Sequence, residues 1–360
     1  MTHVDEILDP DLLERMVAEG YVRVQTHPSL PLAIYNYAEK AAYEGAWNEV
    51  TLTCRGLIVD LTTGAVVARP FRKFFNYGQA GAPVFDLNDP VVTQDKVDGS
   101  LGILYPTPGG WAIATRGSFA SEQALHATEV WRERYEGRFS PNLGMTYLFE
   151  ILYPQNRIVV DYDGVDDLVH LGCVQLDGAG RTYKPDPYWP GPAVEEFPYC
   201  TLAEALAAPP RLNAEGLVVR HVASDERVKI KQEDYVALHK IVTGLNARTV
   251  WQHICEGKEI RELIEPLPDE FHAWVLDVVR ELDRRVDKMV DDIEAAWERV
   301  QAQLPEGASR KEFAMVAKTE PLGWALFNMA DGRDYRPKLW KKVDPGAEWR
   351  PTNAPVEEAA

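Results

Sequence analysis

Between about residues 20 and 231, apolar positions come in short runs rich in β-branched and aromatic side chains, separated by Gly, Pro, Asn and Asp. The runs are "VRVQTH", "LAIYNY", "RGLIVDLTTGAVVARP", "LGILYPTPGGWAIAT", "YLFEILYP", "LVHLGCVQLDGAGRTY", "EGLVVRHV" and "RVKIK". Such runs predict strands, and the turn residues between them favour antiparallel pairing. Helical stretches interrupt the pattern, notably "SEQALHATEVWRERY" at 121–135, where Ser121 is placed to cap the first turn. The Pro-rich "YKPDPYWPGPAVEEFP" at 183–198 reads as a surface loop. After Lys231 the period changes. Phe271, Val275, Val278, Leu282, Val286, Met289, Ile293, Trp297 and Val300 recur at spacings of three and four, drawing one apolar stripe along a long helix. "SRKEFAMVAKT" and "PLGWALFNMA" continue the helical pattern. The expectation is an α+β domain of antiparallel sheets with helices over 1–231, a smaller all-helical domain over 232–345, and a flexible tail over 346–360.

Composition narrows the function classes. A chain of 360 residues, 46% of them hydrophobic, can bury a core in each of two domains. The first twenty residues are acidic and amphipathic, and no apolar run approaches membrane-spanning length, which predicts a cytoplasmic protein without membrane contact. Cys54, Cys173, Cys200 and Cys255 are scattered, and the 8 histidines form no ligand-spaced cluster, so neither disulfides nor structural zinc are expected. A net charge of −18 argues against nonspecific coating of nucleic acid, which draws its affinity from Lys and Arg. A local basic groove is still compatible, because "RPFRKFFNYG" (69–78) and "RDYRPKLWKK" (333–342) interleave cations with aromatics. The plain reading of such runs is a solvated face whose stems pack on apolar surface. The long helix is expected to pack within its own domain, and the chain to be a monomer.

Candidate chemistry starts at "TQDKVDGSLGILY", residues 93–105. Asp-Gly between apolar runs signals a hairpin turn, which would leave Lys96 as an outward-facing strand residue. The other reading makes Lys96 a nucleophile at a nucleotide pocket. Downstream, Glu150 interrupts the apolar "YLFEILYP", and an ionised carboxylate buried there without a partner costs several kcal/mol. Glu215 opens the strand "EGLVVR", and Lys229 and Lys231 in "VKIK" leave the same face of a strand. Each has an ordinary explanation as a strand-end acid or an edge-guarding lysine. Together they supply a nucleophile, two carboxylates and a cation pair, the inventory for a reaction at a nucleoside triphosphate.

In that order, "KVDGS", "LFEILYPQNRIVV", "EGLVVR" and "VKIK" resemble the motifs of the covalent nucleotidyltransferases. "CRGLIVD", "RPFRKFFNYG", "RGSFASEQAL", "DYVALH" and "RKEFAMVAK" point within them to the phage-type RNA ligase 1 family, and the resemblance covers nearly the whole chain. It implies a nucleotidyltransferase (ATP-grasp-like ligase) domain, ATP and Mg²⁺ or Mn²⁺ as cofactors, and RNA with 5′-phosphate and 3′-hydroxyl ends as partner, cleaved tRNA among the possible substrates. It assigns Lys96 as the nucleophile that forms lysyl-AMP, Glu150 to the ribose, Arg55 and Lys73 to the distal phosphates, and Lys229 and Lys231 to the α-phosphate. Glu215 would help organise a divalent metal through its water shell, Tyr35 would line the nucleotide pocket, Tyr235 would serve later steps, and Glu259 would be a metal-proximal acid. The helical domain would select RNA, and the activity would serve RNA or tRNA repair. The alternatives are a DNA ligase or mRNA-capping guanylyltransferase, which usually carry an OB-fold where helices are expected here, and a non-catalytic RNA-binding protein.

A free lysine is neutral in only about 0.1% of molecules near pH 7.4, and lowering its pKa by about three units costs the ammonium about 4 kcal/mol. The expectation is that Lys229, Lys231 and a hydrated metal depress the pKa of Lys96.

Overall fold

The computed structural model describes residues 2–232, 235, 245–264, 267 and 269–345. They fall into two compact units, Met1–Thr243 and Gly244–Ala360. The first unit is built on three sheets. The N-terminal sheet has the order β1 (Val22–Thr26), β2 (Leu32–Tyr37), β3 (Arg55–Asp60), β4 (Val66–Ala68). Strands β5 (Phe75–Asn76) and β6 (Val91–Asp95) belong to the third sheet, while β7 (Ser100–Thr107), β8 (Gly110–Ala114), β9 (Met145–Leu152), β10 (Asp167–Gln175) and β11 (Thr182–Tyr183) make the second. The second sheet has the order β11-β10-β9-β7-β8. With β12 (Glu196–Phe197), β13 (Gly216–His221) and β14 (Arg227–Lys231), the third has the order β12-β6-β13-β14-β5.

The quoted apolar runs become β1–β4, β7–β11, β13 and β14, while β5, β6 and β12 fall outside them; pairing is antiparallel except where β5 pairs in parallel with β14. Turn chemistry explains the hairpins. Asp60 accepts from the N–H groups of Thr62 and Thr63 to fold β3 onto β4, and Gly110 takes the positive φ that closes β7 onto β8. Ser121 accepts from Ala124 N at 3.2 Å and caps the helix Glu122–Val130, which runs on as a π-helical turn over Trp131–Tyr135. Trp131 is fully buried, stacked 6.0 Å from Trp189 beside Phe149, Leu104 and Ile113. That core lies against the second sheet and stiffens the strand that carries Glu150.

The Asp-Gly pair is not a hairpin turn. Residues 96–99 carry the chain out of the third sheet at β6 and into the second at β7, and the two strands share no ladder. Neither Asp98 nor Gly99 has the positive φ that a type I′ turn demands. Lys96 therefore stands at a switch between sheets. A second tie joins the same sheets: Asp225, in the β13–β14 turn, accepts from Thr182 N of β11 at 2.9 Å, and Arg227 Nη2 donates to Thr182 Oγ1 at 2.5 Å while its guanidinium lies over Phe71.

Among the described residues, the regular elements of the second unit are all helices. Its axis is the helix Asp269–Gln303, whose stripe of Val275, Val278, Leu282, Val286, Val290, Ile293, Ala296 and Val300 is buried. Val290 takes the buried place expected of Met289, which is half-exposed; the side chain of Phe271 lies outside the described residues. Helices Ala247–Cys255, Arg310–Ala317, Gly323–Ala330 and Arg336–Trp340 pack on that stripe. Trp251 Nε1 donates to Trp340 O at 2.7 Å, fastening the first of them to the last. Within the second basic run, the Lys338 and Lys342 ammonium groups lie over the Trp324 ring. Among the described residues no helix is long and apolar enough to cross a membrane.

Trp131→Ala removes the largest fully buried side chain and is expected to destabilise the first unit by about 3–5 kcal/mol, measured by denaturant unfolding followed through tryptophan fluorescence.

Candidate active site

The site is assembled from backbone register. β13 pairs with β14 so that Gly216 faces Lys231, which sets Glu215 beside the Lys231 side chain. β13 also pairs with β6, Leu217 facing Asp95, and Lys96 N donates to Gly216 O at 3.0 Å. Three segments distant in sequence are thereby locked side by side. Their side chains meet in a buried ion triplet: Lys96 Nζ lies 2.6 Å from Glu215 Oε2, and Lys231 Nζ lies 2.7 Å from Glu215 Oε1. The Glu215 side chain is 2% exposed, that of Lys231 7% and that of Lys96 18%, so Lys96 is the least enclosed side chain of the three.

Two glycines make the close approach possible. A Cβ on Gly216, whose φ is +152°, would meet Ile230 O at 2.1 Å, and one on Gly99 would meet Ile151 O at 2.7 Å and Glu150 Cγ at 3.0 Å. Gly99 N donates to Glu150 Oε1 at 3.1 Å, which brings the acid of β9 against the loop of Lys96. Asp98 is buried and held from three sides. Its carboxylate accepts from Val159 N and Val160 N, each at 2.9 Å, and from Tyr235 Oη at 2.7 Å, while its own N–H donates to Tyr162 Oη. Asp98 and Tyr162 were not picked out as site residues; the signal for Asp98 was its place in the Lys-x-Asp-Gly tetrad, and for Tyr162 there was none.

The charges work against one another. Burial disfavours the charge on Lys96, but Glu215, Glu150 and Asp98 outweigh it and hold the ammonium above the usual lysine pKa. This corrects the expectation that neighbouring cations depress Lys96: Glu215 stands between the two amines and binds both. Burial, opposed by Glu215 and reinforced by Lys96, brings Lys231 down to about 8. Burial opposes the Glu215 charge as well, yet Lys96 and Lys231 keep its pKa below the ordinary carboxylate value. Glu150 is pushed up to about 8 by burial and by the Glu215 and Asp98 carboxylates, against the pull of Lys96.

A second group of cations lies among aromatic rings. Arg55 and Lys229 both approach the Phe74 ring, at 5.5 and 5.3 Å, and Arg55 Nη1 donates to Phe71 O. Buried Lys73 sits within 6 Å of the rings of Tyr37, Trp47 and Phe75. Arg116 Nη1 donates to Tyr37 Oη at 2.8 Å. The β2 tyrosine that faces these cations is thus Tyr37; the ring of Tyr35 packs instead with Leu8, Val22, Val50 and Leu57 in the N-terminal core. Glu259 lies in the helical unit, exposed just before the helix Ile260–Ile264. Among the described residues no cluster of three or more His, Cys, Asp or Glu could hold a metal ion. The structure therefore joins Lys96, Glu150, Glu215 and Lys231 in one cluster, and Arg55 and Lys229 around Phe74.

Residues 53–187 match the model of a protein family described as RNA ligase. Among curated proteins, the chain is 27% identical over 266 residues to a baculovirus protein of Autographa californica nuclear polyhedrosis virus, provisionally named bifunctional polynucleotide kinase/RNA ligase; the match covers 67% of this chain and 38% of that protein. It is 24% identical over 341 residues to an RNA ligase of Rhodothermus phage RM378, covering 73% of this chain and 77% of the phage protein. A solved structure of a Naegleria gruberi RNA ligase with PPi aligns at a TM-score of 0.32 and 18% identity, over 43% of this chain and 52% of that one. The family match takes in Arg55, Lys73, Lys96, Arg116 and Glu150 but stops short of Glu215, Lys229 and Lys231, which the fold itself delivers to Lys96.

With its pKa about 8 in the folded protein against 4.5 for a free side chain, Glu150 binds a proton in the folded state that the unfolded chain has released across that interval. Stability contributed by this group is full below about 4.5 and lost as pH rises towards 8. Glu150→Gln should therefore gain melting temperature relative to the parent as pH is raised from 5 to 8, a difference read by calorimetry at a series of pH values.

Proposed function

We propose that this chain is an ATP-dependent RNA ligase that seals a 5′-phosphate to a 3′-hydroxyl through a lysyl-AMP on Lys96. The observation that carries the reading is the Lys96–Glu215–Lys231 triplet, a lysine backed by a buried carboxylate that a second lysine shares. The match to RNA ligase over 53–187 supports it, and the first unit is then a nucleotidyltransferase domain of the ATP-grasp-like ligase type.

In this reading the neutral Lys96 amine attacks the α-phosphorus of ATP. The N–P bond forms, the bond to the leaving oxygen breaks, and pyrophosphate departs. An oxygen of an RNA 5′-phosphate next attacks the adenylate phosphorus, breaking the N–P bond and returning the amine. Last, a 3′-hydroxyl loses its proton, attacks the 5′-phosphate phosphorus and expels AMP. Lys231 and Lys229 would stabilise the negative charge that grows on the α-phosphate, where positive groups in a water-poor site act most strongly. Arg55 and Lys73, set among rings that exclude water, would take the distal phosphates, and Glu150 the ribose hydroxyls.

Both Glu215 oxygens are occupied by lysines, so the residues present fit a divalent ion held mainly by ATP phosphates and water rather than by a protein cage. Bound in that way, Mg²⁺ or Mn²⁺ would supply positive charge that offsets Glu215 and favours the neutral amine. A metal role for Glu259 rests on the resemblance alone, as does a tRNA-selecting role for the helical unit.

After incubation with α-labelled ATP and Mg²⁺ and then denaturation, the protein is expected to carry acid-labile AMP, and Lys96→Ala none. Label from GTP instead would favour a capping enzyme, and no label at all an RNA-binding protein. Lys231→Met is expected to slow lysyl-AMP formation by at least about 10²-fold while changing the KM for ATP less than about threefold, measured by single-turnover labelling.

A further inference from the structure

Outside the triplet, one arginine touches a chain neighbour of each of its three members. The guanidinium of Arg211 donates through Nη2 to Asp95 Oδ1 at 2.7 Å and to Gly216 O at 2.7 Å. Its backbone N–H donates to Gln232 Oε1 at 2.6 Å. Asp95 precedes Lys96, Gly216 follows Glu215, and Gln232 follows Lys231. The carbonyl of Gly216 is the same one that accepts from Lys96 N, so both its lone pairs are used, one by the nucleophile's backbone and one by Arg211. Gln232 completes the ring: its N–H donates to Glu215 O at 3.1 Å and its side-chain amide to Ala214 O at 3.3 Å. The guanidinium also lies 4.5 Å from the centre of the Phe197 ring on β12.

The need for such a fastening follows from where the triplet sits. Lys96 lies just past the end of β6, Glu215 just before β13 begins, and Lys231 at the last position of β14. Strand ends are where ladders fray, and the backbone bonds Lys96 N–Gly216 O and Gln232 N–Glu215 O stand at those ends of the β6–β13–β14 ladders. A planar guanidinium with several fixed donors suits this task, because it bonds a carboxylate and a carbonyl at once, which a lysine ammonium on a flexible stem does less rigidly.

We propose that Arg211 is a positioning residue for the adenylylation step: its guanidinium fixes the end of β6 to the start of β13 so that Lys96 and Glu215 stay in register, while its backbone N–H holds Gln232 beside Lys231. This rests on the reading of Lys96 as the nucleophile. Arg211 binds none of the reacting groups. Loss of the guanidinium should let Lys96 drift against Glu215 while the backbone bond to Gln232 persists, and a misplacement of about 1 Å can cost about 10²-fold in rate.

The test compares Arg211→Met, Arg211→Lys, Asp95→Asn and the Arg211→Met/Asp95→Asn double variant with the parent full-length chain, by single-turnover lysyl-AMP formation over a range of ATP concentrations. Arg211→Met is expected to lower the maximal rate by about 10–100-fold with the KM for ATP within about threefold. Arg211→Lys, which can still reach Asp95, should recover part of the rate, and the double variant should be little worse than Arg211→Met because the two groups act as one unit. If Arg211→Met does not fold, Asp95→Asn and Arg211→Lys carry the comparison with the same expected split. A rate equal to the parent's, or a raised KM at unchanged maximal rate, overturns the positioning role while labelling of the parent leaves the ligase reading standing. A parent chain that takes no label at Lys96 removes both.

Discussion

A single buried carboxylate decides the arrangement of this site. Glu215 has almost no exposed surface, and leaving its charge unpaired there would cost several kcal/mol. Lys96 and Lys231 cancel that cost by taking one oxygen each. The carboxylate is therefore what makes two lysines, 135 residues apart by their numbers (231 less 96), neighbours rather than mutually repelling charges. The same bond sets a chemical problem. A Glu215 that stabilises the fold also holds Lys96 as an ammonium, and an ammonium cannot attack phosphorus. In the proposed reaction, positive charge brought with the nucleotide loosens that grip and releases the amine when ATP is bound.

The fold serves this arrangement by bringing two sheets to one seam. The chain passes from the third sheet to the second through residues 96–99, and the Thr182–Asp225–Arg227 contacts join the sheets a second time. Glu150 arrives from the second sheet, Glu215 and Lys231 from the third. Asp98, accepting from two successive backbone amides and a tyrosine, anchors the crossing. Lys96 sits where the backbone is bonded to β13 on one side and the loop meets Glu150 on the other.

Much of this was legible in the chain. Alternating runs with Gly and Asn between them gave the strands because burial of one face imposes a period of two, and the 275–300 stripe gave the long helix for the same reason at a period near 3.6. A charge inside an apolar run marked Glu150, since a buried charge demands a partner, and Glu215 stood out as the acid that opens a strand. Their partner could not be read, because strand register is a property of long-range pairing and not of local sequence. Hence a hairpin stood as one of two readings of Asp98-Gly99, when its geometry serves a crossing between sheets. Tyr35 and Tyr37 look alike in "IYNY", and only the irregular β2–β3 register decides that Tyr37 meets Lys73 and Arg116. The sign of the Lys96 shift was misjudged for a related reason: counting nearby cations omits the carboxylate that separates them.

The most direct measurement is peptide mapping by mass spectrometry of the full chain after incubation with ATP and Mg²⁺. An adenylate found on the peptide that contains Lys96, and absent from those containing Lys73, Lys229 and Lys231, is the result this account predicts. An adenylate carried by any of those other lysines, with Lys96 unmodified, would contradict it.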